Sequence, residues 1–518
     1  MAGIKDQSEG SEGRPRTVDI AVTDEMPGLS ARRGTSQSSP SRWVGPLLRT
    51  FLVASLAVIF VGYYRFLTAD LSPAPPPAQE IASLPAAVEA GGRIGGPPPA
   101  LPASSSAAGA EATIGYAITV SGCPKSDGSR GDFGAGISDG AAVLMHSIRL
   151  NSARTPGSGS RYDFKMYALV HTEAESCARP ALEPLGYEIL VRDVPVPLDE
   201  IKGDHLRKNV PKNGCCGEKE FVKIHAYTIT DHPVVVHLDL DTLVLKPMDN
   251  LFDAMIKGPP RDGSSGGIDV AYGDPLRPPT PDGQKDIDAY FTRDYNMNHR
   301  GMKHAGVQGG FLVLRPSQKV YDEFVSIIRE GDFRSNGGWG GQGFGPFYGS
   351  MTFQGIIPYY YDHLHPGTGV ELNHCVYNNM ADNPRDKPTR NDKVSGNCRD
   401  GYNRPDKHDV CEDCRSRPLE EVVTTHFTLC QKPWECLAQD GDRIQERLCR
   451  RFHGEWYRIR EDLEVSVWGR KAVDCGGGDR KACADERGGK YQPEHFRGYC
   501  KSSGKNGYFR IQLPDAAA

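Results

Sequence analysis

Asp239 and Asp241 stand two residues apart between Val234-Val235-Val236-His237-Leu238 and Thr242-Leu243-Val244-Leu245. β-Branched and apolar runs of this kind read as buried strand. In an extended segment alternate side chains share a face, so both carboxylates would point one way, about 6–7 Å apart, with Leu240 on the other face. Two like charges at that spacing repel, and desolvating them unpaired is costly. A divalent cation relieves both problems, and hard oxygen ligands favour Mg²⁺ or Mn²⁺ over zinc. A bare Asp-x-Asp is more often a pair of solvated carboxylates at a strand end, so the flanking sequence has to decide.

The elements around this pair alternate between strand and helix patterns. Tyr116–Ser121 reads as a first strand running into a Gly-rich loop, Gly122–Gly136. Gly140–Leu150 has helical spacing, Phe164–His171 reads as a second strand and Tyr187–Val191 as a third. This alternation predicts an α/β fold with a mainly parallel central sheet. In such sheets ligands bind beyond the carboxyl ends of strands, where Asp239 falls. A Gly/Pro/Asp-rich loop, about Pro259–Arg300, precedes a further strand, Gly306–Ser317, and a helix, Val320–Glu330. Gly337–Gly345 reads as a flexible glycine loop and lacks the Lys-Ser/Thr of a phosphate-binding P-loop.

Before these elements the composition changes twice. Residues 1–43 are polar and rich in Ser, Gly and Arg, which predicts a disordered tail. Thr50–Tyr64 is uncharged between Arg49 and Arg65, and apolar neighbours extend it to a membrane anchor over 44–67. Basic residues concentrate before the span, so the N-terminus is expected in the cytosol and the remainder in the lumen of the Golgi or endoplasmic reticulum, a type II arrangement. A signal peptide fits less well because its n-region would be far too long. Residues 68–112 are Pro, Ala, Gly and Ser, the composition of a spacer stem. The net charge of −5 offers no general argument for nucleic-acid binding.

Downstream of Asp-x-Asp comes Pro247-Met248-Asp249-Asn250-Leu251-Phe252-Asp253, and upstream Phe221-Val222-Lys223-Ile224-His225. Much later stands Thr425-His426-Phe427-Thr428-Leu429-Cys430-Gln431-Lys432-Pro433-Trp434. Together with Gly310–Ser317 these segments resemble, in order, glycosyltransferase family 8, the glycogenin and lipopolysaccharide galactosyltransferase group. The resemblance covers about residues 115–437 and its last segment is similar to the family's His-Phe…Lys-Pro-Trp signature.

The resemblance implies a GT-A fold over 113–440 and a metal-dependent, retaining hexosyl transfer from a UDP-sugar to a glycan, glycoprotein or glycolipid acceptor. It implies Asp239, Asp241 and His426 as ligands of Mn²⁺, with Mg²⁺ as the alternative. A neutral imidazole is an ordinary Mn²⁺ ligand. It assigns Lys432 to the diphosphate, Lys223 to the donor phosphate and sugar, and Thr119, Ser121 and Leu240 to the nucleotide site. Gln354 matches the glutamine facing the reacting sugar carbon. The sequence departs from the family at Phe353, where an Asp is usual, at Leu429, where Gly is usual, and at Gln308-Gly309-Gly310. Two other readings use the same residues: a metal-dependent phosphohydrolase, and a non-catalytic sugar-binding or scaffold protein.

The chain has fourteen cysteines. Ten of them, Cys375, Cys398, Cys411, Cys414, Cys430, Cys436, Cys449, Cys475, Cys483 and Cys500, lie late in the sequence and are expected as disulfides of undetermined pairing, in keeping with an oxidising compartment. Cys411-Glu412-Asp413-Cys414 alone is a weak zinc signal. Residues 441–518 form a cysteine-containing extension in which Phe452–Trp468 reads as a helix.

Overall fold

The computed structural model describes residues 111–123, 133–260, 264–271, 286–294, 304–381, 414–430, 432–435, 448–469, 511 and 513. The chain divides into two units, Met1–Gly92 and Arg93–Ala518, and every described residue belongs to the second. The expected tail and anchor, and all but the end of the stem, lie outside the described residues. Among the described residues no helix is long and apolar enough to cross a membrane.

Seven strands form the central sheet: β1 (Thr113–Val120), β2 (Asp163–Val170), β3 (Glu188–Val191), β4 (Val235–Leu238), β6 (Ala289–Arg293), β7 (Val307–Leu314) and β10 (Gly369–Glu371). Their order is β10-β6-β7-β4-β1-β2-β3. β4, β1, β2 and β3 are mutually parallel, β10 is parallel to β6, and β7 runs against both of its neighbours, β4 and β6. The sheet is thus mainly parallel, as the alternation of patterns predicts. Short pairs lie outside it: β5 (Thr242–Val244) with β11 (Thr424–His426), and β8 (Phe333–Arg334) with β9 (Gly338–Trp339).

Both faces of the sheet are buried, which is why its central strands read as continuous apolar runs. Alternation along β4 sends Val234, Val236 and Leu238 into one core and Val235 into the other. The first core also takes Ala141, Leu144, Met145 and Ile148 of the helix Phe133–Asn151, and Leu448, Phe452, Trp456 and Ile459 of the helix Leu448–Asp462. The late helix is therefore part of the same core, and His146 Nε2 meets Asp462 Oδ2 across it at 2.7 Å. Like the second core, the first is a single contiguous apolar cluster.

Three expectations are corrected. Asp239 and Asp241 do not lie in a continuous strand: β4 ends at Leu238, and the two acids occupy a turn closed by Thr242 N donating to Asp239 O at 3.1 Å. The Pro259–Arg300 loop contains β6, whose five residues are too short beside charged neighbours to stand out by pattern. The Gly337–Gly345 run is a packed element. Trp339 is fully buried there, its indole N–H donates to Ser350 O at 2.8 Å, and five glycines adopt positive φ to wrap the chain around it.

Of the cysteines, Cys375 pairs with Cys414 and Cys430 with Cys449, and Cys123 pairs with Cys177 in the early half. Cys414 is therefore engaged in a disulfide, which removes it from the weak zinc signal. Cys398, Cys411, Cys436, Cys475, Cys483 and Cys500 lie outside the described residues.

Candidate metal and donor site

The turn after β4 presents its acids where β11 arrives. β11 pairs antiparallel with β5, His426 opposite Thr242, and Phe427 N donates to Asp241 O at 2.9 Å. That register carries His426 to the acids although it lies far along the chain. One ligand atom from each of Asp239, Asp241 and His426 falls within 4.8 Å of the others. His426 Nε2 is 3.2 Å from Asp241 Oδ1 and 3.9 Å from Asp239 Oδ2.

His426 is 2% exposed, and its buried Nδ1 has no hydrogen-bond partner. A buried imidazole facing two carboxylates, with no other polar contact on its ring, suits a divalent cation with mixed oxygen and nitrogen ligands. Gly310 leaves the room for it: a Cβ there would overlap the His426 ring and stand 3.0 Å from Asp239 Oδ2. The Gly310 backbone also fixes the turn, its carbonyl accepting from Asp239 N at 3.1 Å.

Each acid has its own lysine. Lys223 Nζ donates to Asp239 Oδ1 at 2.9 Å and to Gly309 O at 3.1 Å. Glu220 Oε2 is a second carboxylate for it at 3.5 Å. Burial opposes the charge on Lys223, but Asp239 and Glu220 outweigh that and hold the ammonium well above the ordinary lysine range. Lys432 ion-pairs with Asp241. Asp241 is likewise disfavoured as an ion by burial, yet Lys432 and His426 keep its carboxyl well below the usual range. Burial and nearby Lys223 push His237 down to about 3, so it is neutral.

Lys432 is mounted by the residue two further on. Trp434 lies against Gly136 and Gly140 of the helix Phe133–Asn151 and tilts against Trp456 at 6.0 Å between ring centroids. A Cβ at Gly140 would come within 2.9 Å of Leu240 O and 3.1 Å of the indole, so the helix can approach the turn this closely only through glycine.

The remaining expected residues ring this centre. Leu240 sits in the turn, partly buried against the first core. Thr119, next to last in β1, has its hydroxyl 2.8 Å from His237 Nε2, and Ser121, just past the strand, is half-buried. Gln354 is second in the helix Phe353–Pro358; its Cγ and Lys223 Nζ both border the space beside Gly309, and its amide oxygen lies against Gly349. Phe353 is fully buried, its ring 5.8 Å beneath the Lys223 ammonium, so this departure from the family places an aromatic face under a cation.

Sequence reasoning missed two contributors. Glu220 has an available signal, its three-residue spacing from Lys223 on the helical segment Gly217–Thr228. Gln308 is buried and its Oε1 accepts from Gly310 N at 2.6 Å and from Asn378 Nδ2 at 3.3 Å, a role visible only once β7 is in place.

No family model matches the sequence, and no curated protein is similar to it. Among solved structures the chain is similar to the bifunctional glycosyltransferase WbbM, at 11% identity and TM-score 0.35, covering 72% of this chain and 53% of that one. It thus spans about half of WbbM. It is also similar to the galactosyltransferase LgtC in complex with donor and acceptor sugar analogs, at 14% identity and TM-score 0.34, covering 70% and 98%. A third is mouse xyloside xylosyltransferase 1, at 13% identity and TM-score 0.33, covering 62% and 99%. These neighbours are glycosyltransferases.

Proposed function

We propose that this protein is a metal-dependent glycosyltransferase of GT-A type, moving a hexose or related sugar from a UDP-sugar to a glycan, glycoprotein or glycolipid with retention of configuration. The observation that carries the reading is the convergence of Asp239, Asp241 and His426 beyond the carboxyl end of a central parallel strand, with one lysine on each acid. That donor set fits Mn²⁺, or Mg²⁺ in its place.

When bound, the cation supplies Lewis-acid stabilisation of the departing diphosphate. The chain does the rest. Asp239 and Asp241 would hold the cation through carboxylate oxygens, and His426 through a ring nitrogen. Lys432, an ammonium held beside Asp241, would meet phosphate charge as it develops. Lys223 stays charged beside Asp239 and steadies the donor side of the site. Gln354 offers an uncharged amide, held against Gly349, suited to orienting a sugar rather than attacking it. Thr119, Ser121 and Leu240 border the nucleotide end.

In this reading residues 44–67 anchor the chain as a type II protein of the Golgi or endoplasmic reticulum, with the described unit in the lumen. The three disulfides among the described residues support an oxidising compartment. Protease added to intact microsomes is expected to spare everything after Leu67; digestion there without detergent would reverse the orientation.

The direct test is a panel of UDP-sugars presented to the purified chain with Mn²⁺ and with EDTA. One donor is expected to be hydrolysed slowly or transferred, with loss of turnover in EDTA. Equal turnover in EDTA would reject the metal site.

A further inference from the structure

Two adjacent cysteines lie next to this site. In Gly214-Cys215-Cys216-Gly217 both glycines take positive φ, +67° and +61°, and Gly217 N donates to Asn213 O at 3.2 Å, so the four residues form a closed turn. The turn sets Cys215 Sγ and Cys216 Sγ 2.6 Å apart, closer than two thiols rest without bonding. Cys215 is exposed and Cys216 partly so. The other six described cysteines are all in disulfides. Two accessible thiols in contact would not stay reduced where those bonds persist.

The turn also reaches the site through a chain of polar contacts. Cys215 S–H donates to Glu220 Oε1 at 2.6 Å, Glu220 Oε2 meets Lys223 Nζ at 3.5 Å, and Lys223 Nζ donates to Asp239 Oδ1 at 2.9 Å. Asn213 at the head of the turn accepts from Met351 N at 3.0 Å, joining it to the segment that leads into Gln354.

We propose that Cys215 and Cys216 form a vicinal disulfide in exchange with the dithiol, and that its state sets how tightly Lys223 holds Asp239. The consequence for Asp239 rests on the metal site proposed above; the cross-link does not.

The oxidant is a small-molecule or protein disulfide. The Cys216 thiol attacks one sulfur as thiolate and expels the first thiolate. Cys215 sulfur then attacks Cys216 sulfur in the mixed disulfide and expels the second, its proton passing by way of the Glu220 carboxylate to the departing thiolate. Two protein thiols and one disulfide thus become one protein disulfide and two thiols. Oxidation removes the S–H donor from buried Glu220, leaving Lys223 to satisfy that carboxylate. The ammonium is drawn toward Glu220, and Asp239 is released to ligate a cation.

Trypsin excises Asn213–Lys219, which holds both cysteines and no others. The full chain, prepared without reductant and quenched with N-ethylmaleimide in acid, is expected to yield this peptide unlabelled and two hydrogens lighter than the dithiol. Mild dithiothreitol should give two labels, and glutathione disulfide should reverse them. Two labels after glutathione disulfide, or stable glutathione adducts, would overturn the cross-link. Mn²⁺ titration followed by electron paramagnetic resonance then compares the two states, the same map confirming that the other disulfides stay closed. Opening the pair is expected to weaken Mn²⁺ binding about fivefold, with no effect of reductant on a Cys215→Ser/Cys216→Ser chain. Equal affinity in both states would overturn the coupling. Absence of Mn²⁺ binding in every form would defeat the coupling together with the site reading, and the peptide map would still decide the cross-link.

Discussion

His426 is the residue on which the metal reading depends most, because it comes from a separate strand and has no other polar role on its ring. In His426→Ala the cation loses one of three protein ligands, and Mn²⁺ affinity is expected to fall at least about tenfold, roughly 1.4 kcal/mol. Titration of the folded variant checks this, and parental affinity would require the site to be redrawn. Lys432→Ala should behave differently. It removes a competitor for Asp241, so Mn²⁺ affinity should hold or rise, while sugar transfer falls about 100-fold through lost charge stabilisation. Metal titration beside initial rates separates the two effects. Both roles follow from partner identity: one residue faces two carboxylates without a hydrogen bond elsewhere, and the other is a cation already placed at an acid.

The elements that hold these residues are short, so the site depends on what braces them. Trp434 seats the segment carrying Lys432 on Gly136 and Gly140, and Cys430–Cys449 ties the same segment to the helix Leu448–Asp462 across 19 residues. Trp434→Ala is expected to cost about 3 kcal/mol and to lower transfer while sparing Mn²⁺ affinity, because His426 is held separately by β5. A loss of metal binding equal to the loss of transfer would count against separate mounting. Replacing Cys430 and Cys449 together by Ala should cost about 3 kcal/mol, read as a lower denaturant midpoint. The late helix, the signature Trp and the Gly positions of the first helix thus form one support. None of them is among the candidate ligands Asp239, Asp241 and His426.

At the scale of the molecule, several histidines are buried neutral. Burial lowers His146, His225 and His232 below the ordinary histidine value, and His146 meets Asp462, whose carboxyl is in turn lowered by that bond against the opposing effect of burial. In the unfolded chain these rings bind protons below about pH 6.5, whereas in the folded chain they do so only at lower pH. The unfolded state therefore binds more protons in that window, and stability falls as pH drops, by at most about 1.4 kcal/mol per pH unit for each ring. Urea midpoints in EDTA are expected to be level above pH 7 and to decline from pH 6.5 to 5. A level profile across that range would show that these rings protonate equally well in the fold.

Much of this was legible in the one-dimensional pattern, because its signals are local. β-Branched runs, helical spacing and the alternation between them were enough for the mainly parallel sheet, and Asp239 and Asp241 stand out by type and spacing, whereas Lys223 and His426 were reached only through the family resemblance. For the late cysteines that the structure describes, Cys375, Cys414, Cys430 and Cys449, the disulfide state was legible in the sequence, but the partners were not. Only tertiary structure decided the rest. The carboxylates converge through a turn that ends β4 rather than through strand alternation, since the chain must reverse its pairing from β7 to β11 at that point. β6 was hidden because five residues acquire strand character only between β7 and β10. Glu220, Gln308 and Gly310 matter through contacts with residues that the sequence separates, or through the space a missing side chain leaves. Local preference is written along the chain; the distance between His426 and Asp241 is set by the pairing of strands that no local preference specifies.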